Sequence, residues 1–401
     1  MKIAIYHNLP SGGGKRALYE MTRRLAQDHE VDVYTLSCAE HAFCDLRPYA
    51  RRHVVFPFAP LPLARFPFGR LNQGIRAVDL MRLKGLQHEI ARQIDAAGYD
   101  VVFVHHCQFG QSPSLLQFLV TPSVYYCAEP PRLIHEPQIP RPYTQYSLPQ
   151  RVVNLFDPFP ALYRNTLAKF DRANVRAASF VLANSAYTRE SLYRVYGIFA
   201  RVCYLGVDTQ LFRPLELPKA DFVLSVGALN PHKGFDFLLL SLAKMDVARR
   251  PPLVIVSNFA EPREQGYLED LARRLGVSLS IRVLVSDDEL VRLYNQAGLT
   301  LYAPIMEPFG FVPLESMACG TPVVGVREAG VRETVLHNET GILTDRDPQQ
   351  FAEAVQSLLN DEDRCRQYGL RGRAYVEERW SWEQSVQRLG RYLQQVAEAS
   401  R

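Results

Sequence analysis

Short runs of β-branched and aliphatic residues alternate along this chain with longer stretches whose apolar positions recur every three or four residues. In the first half, Lys2–Tyr6, Val31–Thr35, Val101–Val104, Ser123–Tyr126 and Phe180–Ala183 read as strands, and Lys15–Gln27 as an amphipathic helix. The second half repeats the grammar, with strands at Phe222–Val226, Leu253–Val256, Ile281–Leu284, Thr300–Tyr302 and Pro322–Gly325 and helices between them. Strand, helix, strand in this order predicts parallel sheets with crossover helices, so the fold class is α/β with two Rossmann-like, doubly wound domains. Tyr204-Leu205-Gly206-Val207-Asp208, followed by Phe212-Arg213-Pro214, reads as the linker. The predicted domains are therefore 1–205 and 206–380.

Two segments break the pattern. Residues 129–160 are rich in Pro, Arg and aromatics and carry no clear period, and residues 47–76 are similar. Both are expected to be long loops or loosely helical excursions, which in a compact domain are often functional. Near the end, Trp380-Ser381-Trp382-Glu383 separates two helical stretches, with Ser381 placed to cap the last one.

With 401 residues, 47% of them hydrophobic, the chain can bury two cores. No window approaches the ~18 consecutive apolar residues of a spanning helix, and the N-terminus reads as a strand, so a soluble, cytoplasmic protein is expected. The seven cysteines are scattered without a C-x-x-C pair and suggest neither a disulfide framework nor a zinc site. The net charge of +4 hides an asymmetry: residues 1–206 hold 24 Lys and Arg against 15 Asp and Glu, the remainder 22 against 27. A basic first half suits an anionic lipid or glycan, although an ordinary solvated surface has the same composition. The basic residues are dispersed and no nucleic-acid motif is present, so nucleic acid is not an expected partner.

Three stretches carry chemistry. The first strand ends in His7-Asn8-Leu9-Pro10-Ser11-Gly12-Gly13-Gly14-Lys15-Arg16 and runs into a helix. Glycines there admit close approach of an anion to free amides at the positive end of the helix dipole. The string is neither G-x-G-x-x-G nor a Walker loop, which argues against NAD and ATP. The second domain opens with Ser225-Val226-Gly227-Ala228-Leu229-Asn230-Pro231-His232-Lys233-Gly234. Its glycine ends a strand, and Lys233 stands just before a helix, where an ammonium meets a diphosphate. The third runs from Glu307-Pro308-Phe309-Gly310-Phe311-Val312-Pro313-Leu314-Glu315 to Val324. Pro308 and Gly310 keep Glu307 on a loop, and Pro313 can sit in the first turn of a helix holding Glu315. Two carboxylates so placed can accept hydrogen bonds from a sugar and from a ribose diol.

Glu307 to Glu315 resembles the E-x7-E signature of the retaining glycosyltransferase family 4, and the likeness extends over nearly the whole chain. It includes Gly12-Gly13, Asn184-Ser185-Ala186-Tyr187-Thr188, Gly206-Val207-Asp208, Lys233-Gly234 and Arg332-Glu333-Thr334. The resemblance implies a GT-B fold, two Rossmann-like domains facing across a cleft, with the acceptor on the first, the donor on the second and the final helix 381–401 joined to the first. It implies Lys233 on the donor diphosphate, Glu315 on the ribose and Glu307 at the sugar hydroxyls. Gly227, the amides of Gly310, Phe311 and Val312, and Gly12 and Gly13 complete the donor site. The implied reaction is retaining transfer of a hexose from a GDP- or UDP-sugar to a glycan or lipid-linked acceptor. Neither a cofactor nor a metal is required, and peripheral contact with an anionic membrane fits the acceptor.

Two departures stand out. Ala228 replaces the family's usual Arg, leaving one diphosphate cation to be supplied by a nearby Arg or by His232. Tyr125-Tyr126-Cys127-Ala128-Glu129-Pro130-Pro131-Arg132 resembles a family segment with His where Ala128 stands, near the donor sugar. His105 and His106 end the Val101–Val104 strand and are candidates for the cleft, as are Ala128 and Arg132, although a packing role for the two histidines is the slightly favoured reading. The alternative is a nucleotide-sugar-binding protein with little or no turnover; a GT-B epimerase is more distant. Asp345-Arg346-Asp347 has metal-binding D-x-D spacing, but Asp347-Pro348 before a helical stretch reads as a cap.

Overall fold

The computed structural model describes residues 1–65, 68–145 and 155–399. Among them, seven strands form a first sheet: β1 (Lys2–Asn8), β2 (Glu30–Leu36), β3 (Arg52–Phe56), β4 (Val101–Cys107), β5 (Ser123–Cys127), β6 (Phe180–Ala183) and β7 (Arg201–Val202). Their order is β3-β2-β1-β4-β5-β6-β7, and every neighbouring pair is parallel. The second sheet holds β8 (Val223–Val226), β9 (Leu253–Ser257), β10 (Leu279–Val283), β11 (Leu299–Tyr302), β12 (Val323–Val326) and β13 (Gly341–Thr344). Its order is β10-β9-β8-β11-β12-β13, again parallel throughout. Both sheets are doubly wound, with the order reversing at β1/β4 and at β8/β11.

Central strands of such sheets are covered on both faces, which is why they read as continuous apolar runs. Ile3, Ala4, Ile5 and Tyr6 of β1, and Leu299 and Leu301 of β11, are fully buried. One core gathers on the first sheet around Tyr6, Ile90, Val104 and Tyr125, and another on the second around Leu238, Ile255, Leu301 and Phe351. The chain divides into two compact units. One comprises Met1–Gln138, Gln145–Tyr204 and Ser385–Arg401; the other comprises Ile139–Thr144 and Leu205–Gln384.

Over 47–76, read as a long loop or loosely helical excursion, the structure also places a strand. This strand, β3, lies at the sheet edge, with Arg52 opposite Asp32 and Val54 opposite Tyr34. The polar start of this strand, Arg52-His53, hid it, and an edge position tolerates such residues. The helix Asn72–Ala96 also begins there. It buries Leu80, Leu83, Ile90 and Ile94 while exposing Val78 and Met81, so its apolar positions show no single stripe. In the stretch 129–160, a single turn at Arg132–His135, a 3₁₀ turn at Pro142–Thr144 and the start of the helix Phe159–Ala177 appear. The reading of 146–154 falls outside the described residues. Ser381 does cap the last helix, its hydroxyl accepting from the Gln384 amide at 3.2 Å. Asp347 caps Pro348–Leu359, accepting from the Gln350 amide at 2.8 Å.

Candidate functional site

Ligands of doubly wound sheets gather at the carboxyl ends of the strands where the order reverses. In the second unit that place is the end of β8 and β11, and the chemistry-bearing motifs follow those strands. After β8 and Gly227, the Asn230 side chain accepts from the His232 amide at 3.1 Å and starts the 3₁₀ turn Pro231–Lys233. Gly234 closes it at φ 65°, in the left-handed region. A Cβ on Gly234 would stand 2.0 Å from the Ala303 carbonyl oxygen, so only glycine lets the turn rest on the chain leaving β11. The Ile305 amide donates to the His232 carbonyl at 2.7 Å and fixes that seat.

This seat brings Lys233 to Glu307. The Lys233 ammonium lies 2.7 Å from Glu307 Oε2, with both side chains about a fifth exposed, at 24% and 17%. Beyond Glu307, Gly310 adopts φ 95° and opens the helix Phe311–Ala318, whose first amides, those of Phe311 and Val312, have no partner within the helix. Glu315 turns inward from that helix and is 8% exposed. Its Oε2 accepts from the Tyr294 hydroxyl at 2.8 Å. Burial, followed by the Glu315 charge, raises the Tyr294 pKa well above its ordinary value, so the phenol keeps its proton and donates. The Lys233–Glu307 pair and the helix start at Gly310 thus follow the ends of β8 and β11, with Glu315 one turn further along that helix.

Two arginines lie close to the Pro231–Gly234 turn, and both are paired. Arg346 donates to the Ala303 and Pro304 carbonyls at 3.0 and 2.8 Å and pairs with Glu328 at 2.7 Å. Arg141 is bound by Glu264 and Asp236. His232 remains on the turn itself.

In the first unit, the reversal lies at β1/β4. Gly12 precedes the helix Gly13–Asp28 with φ 139°, and the helix has no side-chain cap. A Cβ on Gly14 would meet His106 Cε1 at 3.3 Å, so the glycine loop sits against the end of β4. His105 is 2% exposed, stacks on Tyr126 at 5.2 Å and meets Phe103 edge-on at 4.9 Å. Burial, then the neighbouring His106, lowers its pKa to about 3; burial lowers that of His106 to about 4. Both rings are neutral near pH 7. Ala128 accepts through its carbonyl from the Thr188 hydroxyl at 3.0 Å. Arg132 pairs with Glu129 at 2.7 Å and with Glu136 at 3.4 Å.

Three features escaped the sequence reading. His7, at the end of β1, is fully buried, and its Nε2 finds no hydrogen-bond partner among the described residues. Its position directly before the glycine loop was the available signal. Tyr294, the partner of Glu315, lies on a separate helix, Asp287–Gln296, and no motif marks it. Arg141 with Glu264 joins residues 123 positions apart; only the sequence Pro140-Arg141-Pro142 hinted at a fixed conformation there.

With this geometry in place, the likeness to known proteins is informative. Residues 11–211 match the family described as Glycosyltransferase Family 4, and residues 207–375 match Glycosyl transferases group 1. A D-inositol 3-phosphate glycosyltransferase of Thermobispora bispora is 35% identical over 214 residues, 48% of this chain and 50% of that protein. A GDP-mannose-dependent alpha-(1-6)-phosphatidylinositol monomannoside mannosyltransferase of Mycobacterium tuberculosis is 33% identical over 238 residues, 52% of this chain and 60% of that protein. The chain thus spans about half the length of these curated relatives. Among solved structures, a sucrose-phosphate synthase from Thermosynechococcus elongatus superimposes with a TM-score of 0.75 at 21% identity, covering 100% of both chains. Anabaena HepE in complex with UDP-glucose gives 0.67 at 21% identity over 98% of this chain and 100% of its own. These likenesses establish the GT-B fold, and the chain belongs to glycosyltransferase family 4.

Proposed function

We propose that the protein transfers a hexose from a GDP- or UDP-sugar to a glycan or lipid-linked acceptor with retention of configuration, without a metal, at the cytoplasmic side of a membrane. The observation that carries this reading is the meeting of Lys233, Glu307 and the Gly310 helix start at the β8/β11 switch point. Negative charge grows on the departing diphosphate, so the Lys233 ammonium and the amides of Phe311 and Val312 act where the transition state needs them. Glu307 accepts hydrogen bonds from the donor sugar and Glu315 from the ribose. The acceptor is assigned to the first unit, to the surroundings of His105, His106, Ala128 and Arg132.

The names of the relatives support a phosphorylated or lipid-linked acceptor, since they specify inositol 3-phosphate and a phosphatidylinositol mannoside. A surface of the first unit supports the membrane. The segment Phe68–Leu71 and the helix Phe159–Ala177 pack on the helix Asn72–Ala96, leaving Phe68, Leu71, Val78, Met81 and Leu162 exposed. Arg65, Arg70 and Arg76 lie in the same stretch of chain. Exposed apolar side chains with arginines nearby in sequence suit an anionic bilayer surface. Among the described residues no helix is long and apolar enough to cross a membrane.

The test is transfer itself, followed by NMR of the anomeric proton in the product. Retained configuration is expected, and an inverted product contradicts the mechanism. A second reading, binding without turnover, is favoured by Ala128 and Ala228. It predicts nucleotide affinity with no transfer in the parent chain and transfer appearing in Ala128→His.

A further inference from the structure

The second unit contains six residues, Ile139–Thr144, that the chain supplies from between two stretches of the first unit. Their anchor is Arg141, whose side chain is 4% exposed. Its Nε and Nη2 donate to Glu264 at 3.0 Å each, in the two-pronged geometry that a guanidinium forms with a carboxylate, and Glu264 is 1% exposed. The remaining arm, Nη1, donates to Asp236 at 2.8 Å, while Nη2 also reaches the Pro231 carbonyl at 3.4 Å. The guanidinium lies over the Tyr267 ring at 5.1 Å, and the Tyr143 hydroxyl donates to Glu264 at 2.5 Å. Flanking prolines and a hydroxyl from Thr144, which accepts from the Arg141 amide at 3.2 Å and donates to its carbonyl at 2.8 Å, fix the backbone before the side chain docks.

Pro231 and Asp236 bracket Lys233. Arg141 therefore grips both ends of the turn that aims the Lys233 ammonium, from a base anchored on Glu264 in the helix Pro262–Leu275. We infer that Arg141 is a positioning residue for the donor site, a clamp that holds Lys233 in register for the diphosphate. The inference rests on the reading of Lys233 as the diphosphate cation, while the clamp itself has a readout that needs no ligand. The grip can be released without stranding a buried carboxylate by changing both partners, since Asp236 is 22% exposed and is solvated without Arg141.

The experiment compares the parent chain with Arg141→Met/Glu264→Gln and Arg141→Lys. Backbone amide exchange is followed without ligand, and affinity is measured for GDP, UDP, guanosine and uridine. In the double variant, exchange at the Lys233 and Gly234 amides, which the Asn230 and Pro231 carbonyls protect, should rise at least tenfold, with β9 unchanged. The dissociation constant of the preferred nucleoside diphosphate should rise about tenfold, and that of its nucleoside less than twofold. Arg141→Lys, which keeps the charge but not the fork, should fall between. Unchanged exchange at 233 and 234 overturns the clamp. So does a rise spread evenly over the second unit, or an equal loss for diphosphate and nucleoside, either of which makes Arg141 a residue of the fold alone. A parent chain that binds no nucleotide refutes the donor reading instead, and exchange still decides the clamp.

Discussion

Lys233 and Glu307 form a partly buried ion pair whose net contribution to folding is small, because the cost of desolvating both charges offsets much of their attraction. Lys233→Met should leave the melting temperature nearly unchanged and lower turnover by ~10²–10³-fold, the usual loss when one donor to developing charge is removed. Parallel melting curves and initial rates check this; normal turnover would take Lys233 out of the machinery. Glu315→Ala should weaken nucleoside binding roughly tenfold or more, as hydrogen bonds to a charged group are worth ~1.5–3 kcal/mol. An unchanged nucleoside affinity would refute the ribose assignment. The histidines of the first unit make a different prediction. His7, His105 and His106 have pKa values held below that of the unfolded chain, so unfolding takes up protons on acidification. Their stabilising effect is fully present above about pH 6.5 and is lost as pH falls through the folded values, with a limiting slope of ~1.4 kcal/mol per pH unit for each histidine. Urea titrations at pH 7, 6 and 5 should show that decline, less steep in His105→Gln; a flat profile contradicts neutral burial. At this scale the sequence disclosed Lys233, Glu307 and Glu315 through their spacing to glycine and proline. Tyr294, His7 and Arg141 stayed hidden because their significance comes from residues distant along the chain.

At the level of elements, the proposed donor site is a matter of seating. The turn Pro231–Lys233 rests on the chain leaving β11 only because Gly234 has no Cβ to strike the Ala303 carbonyl. Gly234→Ala combines that clash with a left-handed backbone, and should push the turn off its seat and destabilise the unit by at least ~1 kcal/mol. Its diphosphate affinity should fall more than its nucleoside affinity, which calorimetry with GDP and guanosine, or UDP and uridine, resolves; unaltered affinity for both would show that the seat does not aim Lys233. Buried parallel strands were easy to read because both faces are apolar. β3 was not, since an edge strand beginning Arg52-His53 lacks that signature. The helix Asn72–Ala96 escaped because apolar residues on its exposed side blur the helical period.

At the scale of the whole molecule, the charge division and the exposed apolar side chains belong to the same proposal. The basic half of the chain carries Phe68, Leu71, Val78 and Met81 exposed, and anionic vesicles should retain the protein where neutral phosphatidylcholine vesicles do not. Val78→Glu/Met81→Glu should abolish that retention in a sedimentation assay without changing nucleotide affinity. Equal sedimentation with both vesicle types, or with both proteins, would remove the membrane from the account. The two-sheet architecture was legible from alternating periods alone, whereas Ile139–Thr144, which the chain lends from one unit to the other, was not, because such exchange leaves no periodic trace.

Binding of a nucleoside-diphosphate sugar at the ends of β8 and β11 through Lys233, Glu307 and Glu315 is open to calorimetric titration in the presence of a chelator. GDP, UDP, GDP-mannose, UDP-glucose and UDP-N-acetylglucosamine are each titrated into the parent chain and into Lys233→Met. Saturable binding of one nucleotide class without metal is expected, weakened at least tenfold in the variant. Binding of none of the five, or equal binding by parent and variant, would contradict it.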